Sequence, residues 1–139
     1  MKPLPDTPES LVLRTDFSDD AAWREVCEAS SAPSPGDGFL ANLTFVEDRS
    51  YEAAAVADLI AAAVAATQYR TFMFVADGVT IHAADHPLLV IDLADQPGRS
   101  FRVIPSEMWS VENNLSLANM DFHEFADAID ASGTFRGFE

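Results

Sequence analysis

The 139-residue sequence predicts an α/β fold, a single mixed, partly parallel five-stranded sheet flanked by three helices, with an antiparallel C-terminal hairpin. Three observations carry that reading. Short apolar runs of strand length alternate with longer segments of helical period, which implies βαβ units with right-handed crossovers. Two of the runs, Thr71 to Ala76 (TFMFVA) and Leu88 to Leu93 (LLVIDL), are almost unbroken, as in strands covered on both faces. After the second run, Gln96-Pro97-Gly98-Arg99 sets Pro and Gly in the order of a type II turn and leads the chain back antiparallel.

Taken in order, residues 1 to 10 hold prolines and few apolar anchors, so a loose tail is expected before a single domain over residues 11–139. Leu11-Val12-Leu13 starts the first strand. Ser18 or Asp16 is then placed to cap a helix whose Trp23, Val26 and Cys27 share one face. On that face Cys27 is a small core residue rather than a nucleophile. Ser30 to Gly38 (SSAPSPGDG) is loop chemistry, and Leu40 to Val46 reads as the second strand. An Ala-rich helix is expected from Glu52 to Thr67, with Val56, Leu59, Ile60 and Val64 on one stripe. Its other face is mostly alanine, so it either packs on two sides or joins a subunit contact, which leaves monomer and homodimer both open.

Asp77-Gly78 ends the central strand and suits either a tight hairpin or a short helical connection. The hairpin strand Phe101 to Ile104 is stopped by Pro105. A polar loop carrying Trp109 and the pair Asn113-Asn114 is expected next. Asp121 and Glu124 then form a capping box for a last helix, with Phe122, Phe125, Ala126 and Ile129 inward. Gly133 ends it, and Phe135 and Phe138 are expected to fold back onto the body.

Charge narrows the function. Asp and Glu number 23 against 8 Lys and Arg, a formal net charge of -15. Such a surface repels phosphate backbones and anionic membranes, and it favours solubility and salt-sensitive capture of basic proteins. Cys27 is the single cysteine, so no intrachain disulfide forms. MKPLPDTPES lacks the apolar core of a signal peptide, and the stretch from Ala53 to Thr67 is interrupted by Asp58 and too short to span a bilayer. A cytoplasmic location is the expectation.

For chemistry, several strands end on a carboxylate: Asp16, Glu47 or Asp48, Asp77 and Asp92. Beyond the carboxyl ends of parallel strands such groups could line a ligand pocket, Asp16 and Asp77 first among them; otherwise they cap helices and turns. Asp92 is the weaker member, since its strand is expected to run antiparallel. His82, Asp85 and His86 have the H-x-x-D-H spacing of a zinc site, but Pro87 pushes His86 out of helical geometry, so no metal is assigned. Glycine-rich phosphate loops, G-x-S-x-G elbows and Cys/His metal spacings are missing, and neither cofactor nor catalytic residue is assigned. The candidate binding set is therefore Glu107, Trp109, Glu112, Asn113 and Asn114, which joins a flat apolar ring to hydrogen-bonding groups. The asparagines have an equal claim to a structural role, tying up loop backbone.

The segments LVLRTDFSDDAAW, LTFVEDRSY, FMFVAD, HPLLVIDL and FRVIPSEMWSVENNLSLANMDFHEFAD together resemble an uncharacterised family of short acidic single-domain proteins from actinobacteria, a domain of unknown function. The likeness covers residues 11 to 138. It implies a bacterial, cytoplasmic, single-domain protein and carries over no catalytic residue. The expectation from the whole chain is a non-enzymatic protein-binding module, accessory or immunity-like, engaging a basic partner. The alternative is a small enzyme or small-ligand binder with a carboxylate-lined pocket at the strand ends. A third reading is a scaffold subunit built on the Ala-rich helix.

Overall fold

The computed structural model describes residues 1–138. Strands β1 (Ser10–Arg14), β2 (Leu43–Val46), β3 (Phe72–Ala76), β4 (Leu88–Asp92), β5 (Ser100–Val103) and β6 (Thr134–Phe135) form one mixed sheet in the order β2-β1-β3-β4-β5-β6. β1 pairs in parallel with β2 and β3, β4 is antiparallel to both neighbours, and β6 lies parallel to β5. The mixed sheet, its parallel portion and the antiparallel pair are as expected. Among the described residues the strands number six, not five, because two residues after Gly133 pair with β5.

Among the described residues five α-helices flank the sheet, not three: α1 (Asp20–Ser31), α2 (Val56–Ala65), α3 (Gly78–His82), α4 (Met108–Ser116) and α5 (Phe122–Ala126). Asp77-Gly78 therefore starts a helical connection. There Asp77 caps α3 by accepting from the Thr80 N–H at 3.2 Å. α1 is capped by Asp19, whose carboxylate accepts from the Ala22 N–H at 3.0 Å, and not by Ser18 or Asp16. The second strand is shorter than expected, beginning at Leu43 while Leu40 stays exposed. α5 is one turn and ends before Ile129, which is exposed. The turn at Gln96 to Arg99 is the expected type II: the Arg99 N–H donates to the Gln96 carbonyl at 2.9 Å, with Gly98 at φ 97°.

The strand alternation sorts the core into two layers. One holds Val12, Phe74, Val90, Phe101 and Val103 under α1, α3, α4 and α5. The other holds Leu11, Leu13, Met73, Val75 and Ile91 under α2 alone. α1 and α2 thus lie on opposite faces: the chain passes from β1 to its neighbour β2 through α1, then back across β1 to β3 through α2. The gap beyond the ends of β1 and β3 is the position where open α/β sheets form their crevice. Among the described residues no helix is long and apolar enough to cross a membrane.

The segment expected as a loose tail is tied to the α2 face. Leu4 is buried there, the Tyr51 hydroxyl donates to the Pro3 carbonyl at 2.7 Å, and Arg70 donates to the carbonyls of Pro5, Thr7 and Glu9. A single arginine thereby satisfies backbone groups that would otherwise need water.

Candidate functional site

The Trp109 segment is a helix, not a loop. Pro105 opens a 3-10 turn over Pro105–Glu107, where its missing N–H costs nothing, and α4 continues from it. Met108, Val111, Glu112 and Leu115 fall at i, i+3, i+4 and i+7 and face the sheet, so tertiary burial overrides the poor helix propensity of Asn113-Asn114. The Asn114 amide donates to the Ser110 carbonyl at 2.8 Å, one turn back, and so serves the helix itself.

Glu112 is only 5% exposed and is not available to a partner. Its carboxylate accepts from the Asn42 N–H at 2.7 Å, the Ser10 hydroxyl at 3.0 Å and the Ser116 hydroxyl at 2.5 Å. Three donors satisfy the buried charge and fasten α4 to the starts of β1 and β2. Glu107 is half-buried against Gly137, and burial raises its carboxyl above the ordinary value of 4.5. Of the five expected binding residues, Glu112 and Asn114 are thus committed to the fold. Trp109 and Asn113 are left partly exposed on α4.

Trp109 has a companion that the sequence reading did not name. Phe39 stacks on it, with ring centroids 4.6 Å apart and planes at 27°, and remains 49% exposed. The loop that presents Phe39 is closed by Ser34: its hydroxyl accepts from the Phe39 N–H at 2.9 Å, and its N–H donates to the Phe39 carbonyl at 2.7 Å. Gly36 and Gly38, at φ 83° and 74°, occupy the left-handed backbone this turn needs. The S-P-G-D-G run was the available signal: a tight turn leaves the next apolar pair, Phe39-Leu40, at the surface.

This aromatic pair is tied to the start of β2: Phe39 precedes the strand in the chain, and Trp109 shares α4 with Glu112, which accepts from Asn42. The Ser10 N–H donates to the Asn42 carbonyl, and the parallel register pairs Ser10 with Leu43. Parallel pairing alternates, so Thr44 and Val46 turn their N–H groups toward β1, and Leu43 and Phe45 turn theirs outward. Glu9 lies beside this edge, taking a bond from Thr7, whose hydroxyl is 3.4 Å from that of Thr44. Glu47 closes the far end, more than half exposed and 3.4 Å from Arg14.

The strand-end carboxylates do not converge. Asp16 binds the Ser18 N–H and hydroxyl at 2.8 and 2.5 Å, bonds that hold it below its ordinary value of 3.8, and it faces His82 at 3.4 Å. It lines an open hollow of about 370 Å³ with Thr15, Phe17, Ser18, Glu52 and Gly78, beyond the ends of β1 and β3. Asp77 is taken by Arg102 through two bonds of 2.9 and 2.8 Å. Burial pushes this carboxyl up, but Arg102 and Thr80 outweigh it and keep the group ionised. Asp48 and Asp92 cap turns, and Glu47 pairs with Arg14.

The two histidines of the H-x-x-D-H spacing are also parted. His82 faces Asp16 and Ser18, whereas His86, at φ 48°, meets the Thr80 carbonyl at 2.8 Å and Glu25 at 2.9 Å. Asp85 pairs with Arg136. Among the described residues no group of three or more His, Cys, Asp or Glu side chains is arranged to hold a metal ion. Cys27 packs against the aromatic core, and burial, then the Glu47 charge, pushes its thiol up to about 11, where the nucleophilic thiolate is scarce.

Almost every cation is already engaged. Lys2, Arg14, Arg49, Arg99, Arg102 and Arg136 are ion-paired with carboxylates, and Arg70 holds backbone carbonyls. Arg14 is 1% exposed and also lies over the Phe17 and Trp23 rings. The carboxylates left over give the chain its net charge of -15, so its overall field is negative.

Residues 9–138 match a family described as a domain of unknown function, DUF6924. The chain belongs to that family. The match spans the whole sheet and every helix, and its description names no activity. No curated protein sequence matches the chain significantly.

Proposed function

We propose that this member of DUF6924 is an acidic, non-enzymatic protein-binding module, acting in the bacterial cytoplasm, that engages a basic partner through the surface around Trp109. The observation that carries the reading is the Phe39–Trp109 stack, partly exposed at the start of an edge strand. Aromatic rings held rigid by their own packing are the usual anchors of interfaces, and the negative field steers a basic surface onto them. Asn113 supplies the hydrogen-bonding rim. Glu112 and Asn114 hold the helix in place rather than touch the partner. A net charge of -15, with most cations already paired, works against nucleic acid and anionic membranes as partners.

Selection of random peptides displayed against the immobilised protein tests this. Lysine- and arginine-rich sequences are expected to be enriched at low salt and released as salt rises. Trp109→Ala is expected to weaken their binding by roughly tenfold or more, a typical anchor loss. Enrichment without basic bias, or binding indifferent to Trp109→Ala, would overturn the proposal.

A second reading, small-ligand binding, draws on the hollow at the ends of β1 and β3, with Asp16, Ser18 and His82 at its margin. Ligand-induced shifts confined to those residues in a metabolite screen would favour it. A screen in which they stay fixed would remove it.

A further inference from the structure

We infer that the partner is bound by strand addition: an extended, basic segment of a second protein pairs with the outer edge of β2. This rests on the basic-partner reading and specifies how that surface works. β2 is an edge strand of four residues, L-T-F-V, with no Lys, Pro or charge inside it. Natural edges are ordinarily blunted by such residues or by a bulge, because unpaired N–H and C=O groups template further pairing. At β2 the outward groups belong to Leu43 and Phe45, and among the described residues neither residue takes part in a hydrogen bond beyond the sheet pairing. The edge is also held in place: the buried Glu112 carboxylate grips Asn42 one residue upstream, and Phe45 packs edge-on against Trp23 at 6.1 Å. A pre-ordered edge spares the entropy of forming the site on binding.

Charge selects the occupant. Glu9 stands beside Thr44, and Glu47 follows the strand, more than half exposed with Arg14 at 3.4 Å. A second copy would bring the same carboxylates against them, in a molecule of net charge -15. An extended chain carrying lysines or arginines would instead place them against these acids while its backbone completed the ladder. The Phe39–Trp109 stack and Leu40 lie at the upstream end, where an apolar residue of the added strand would rest. Backbone bonds give affinity in this mode, and alternate side chains give specificity.

Residue-resolved amide hydrogen exchange on the full chain tests the inference, with the basic peptides recovered from the display selection as probes. In the free protein the N–H groups of Leu43 and Phe45 are expected to exchange fast and those of Thr44 and Val46 slowly. With peptide bound, Leu43 and Phe45 are expected to slow by at least about tenfold. Thr44→Lys, which puts a guarding ammonium at the edge without touching Trp109, is expected to weaken binding by about tenfold. Peptides that bind and perturb Trp109 while Leu43 and Phe45 exchange as before would overturn strand addition and leave the basic-partner reading standing. Failure to enrich basic peptides overturns both. A free protein that is already a dimer with protected Leu43 and Phe45 amides would show the edge to be filled by a second copy, which also overturns it.

Discussion

The two edges of the sheet are built on opposite plans. β6 contributes two residues, and a charged network encloses it: Asp130 accepts from the N–H groups of Ser132 and Thr134 and from Arg136 at 2.6 Å, while Arg136 also reaches Asp85 at 2.8 Å. The Phe138 ring stands against Phe125 and Phe135, screening that end. β2 is twice as long, carries no charge, and is flanked by acids and by a stacked aromatic pair. One edge is closed by short length and salt bridges. The other is kept from its own kind only by net repulsion, which a partner of opposite sign does not feel. A sheet that guards one edge so thoroughly and leaves the other bare argues that the bare edge has a use.

Glu112 gives the strongest way to break this contrast. Its carboxylate satisfies three donors in a buried position, so Glu112→Ala leaves the Asn42 N–H and two serine hydroxyls without it. The expected loss is about 3 kcal/mol in chemical denaturation. Hydrogen exchange should locate the damage at the start of β2 and in α4, with β5 and β6 unchanged. Glu112→Gln, which keeps an acceptor, should lose less. Equal loosening at both edges would mean that the β2 edge is not separately fastened.

That central role of Glu112 was not legible in the sequence, and the reason is instructive. Pro105 and Asn113-Asn114 are loop signals in any propensity scheme, so the segment reads as irregular. The helical spacing of Met108, Val111 and Leu115 was present but outweighed, and Glu112 completes the same face. A charged residue on an inward stripe is recognised only when its buried donors are known, and these come from Ser10 and Asn42, far away in sequence. The strands were legible for the opposite reason. TFMFVA and LLVIDL carry their burial in local composition, and the Pro-Gly turn fixes its own geometry. β6 lay beyond reach because two residues have no period, and pairing with β5 alone creates it. Asp77-Gly78 suited a turn or a helix equally, and the choice fell to Thr80 and Arg102.

A smaller effect sharpens the open side of the comparison. Phe39 stacks on Trp109 and is itself 49% exposed, so Phe39→Ala should cost about 1 kcal/mol, the scale of an aromatic pair. Tryptophan emission should shift to the red as the indole is wetted, and basic peptides should bind less tightly although the strand itself is intact. Lowering the pH toward the sequence pI of about 4.2 removes the net repulsion. Self-association through β2 is then expected in sedimentation, and Thr44→Lys should suppress it while Arg136→Gln, at the other edge, should not. Association that Thr44→Lys leaves intact would place the contact elsewhere.

The smallest effect belongs to the guarded edge. Asp130 sits at the surface, but bonds from the Ser132 hydroxyl, Arg136 and the Thr134 N–H hold its carboxyl well below the ordinary value of 3.8. A carboxyl depressed in the folded state contributes stability above its unfolded pKa and loses it as pH falls through the folded one. Asp130→Asn should therefore lower the melting temperature slightly at neutral pH. The difference from wild type should persist down to about pH 4 and shrink only as the solution becomes more acidic than the ordinary value of 3.8. Parallel melting curves over that range check it. A difference that stays constant into strong acid would mean that the charge on Asp130 does not hold the turn, and that the two-residue length of β6 is sufficient to close this edge.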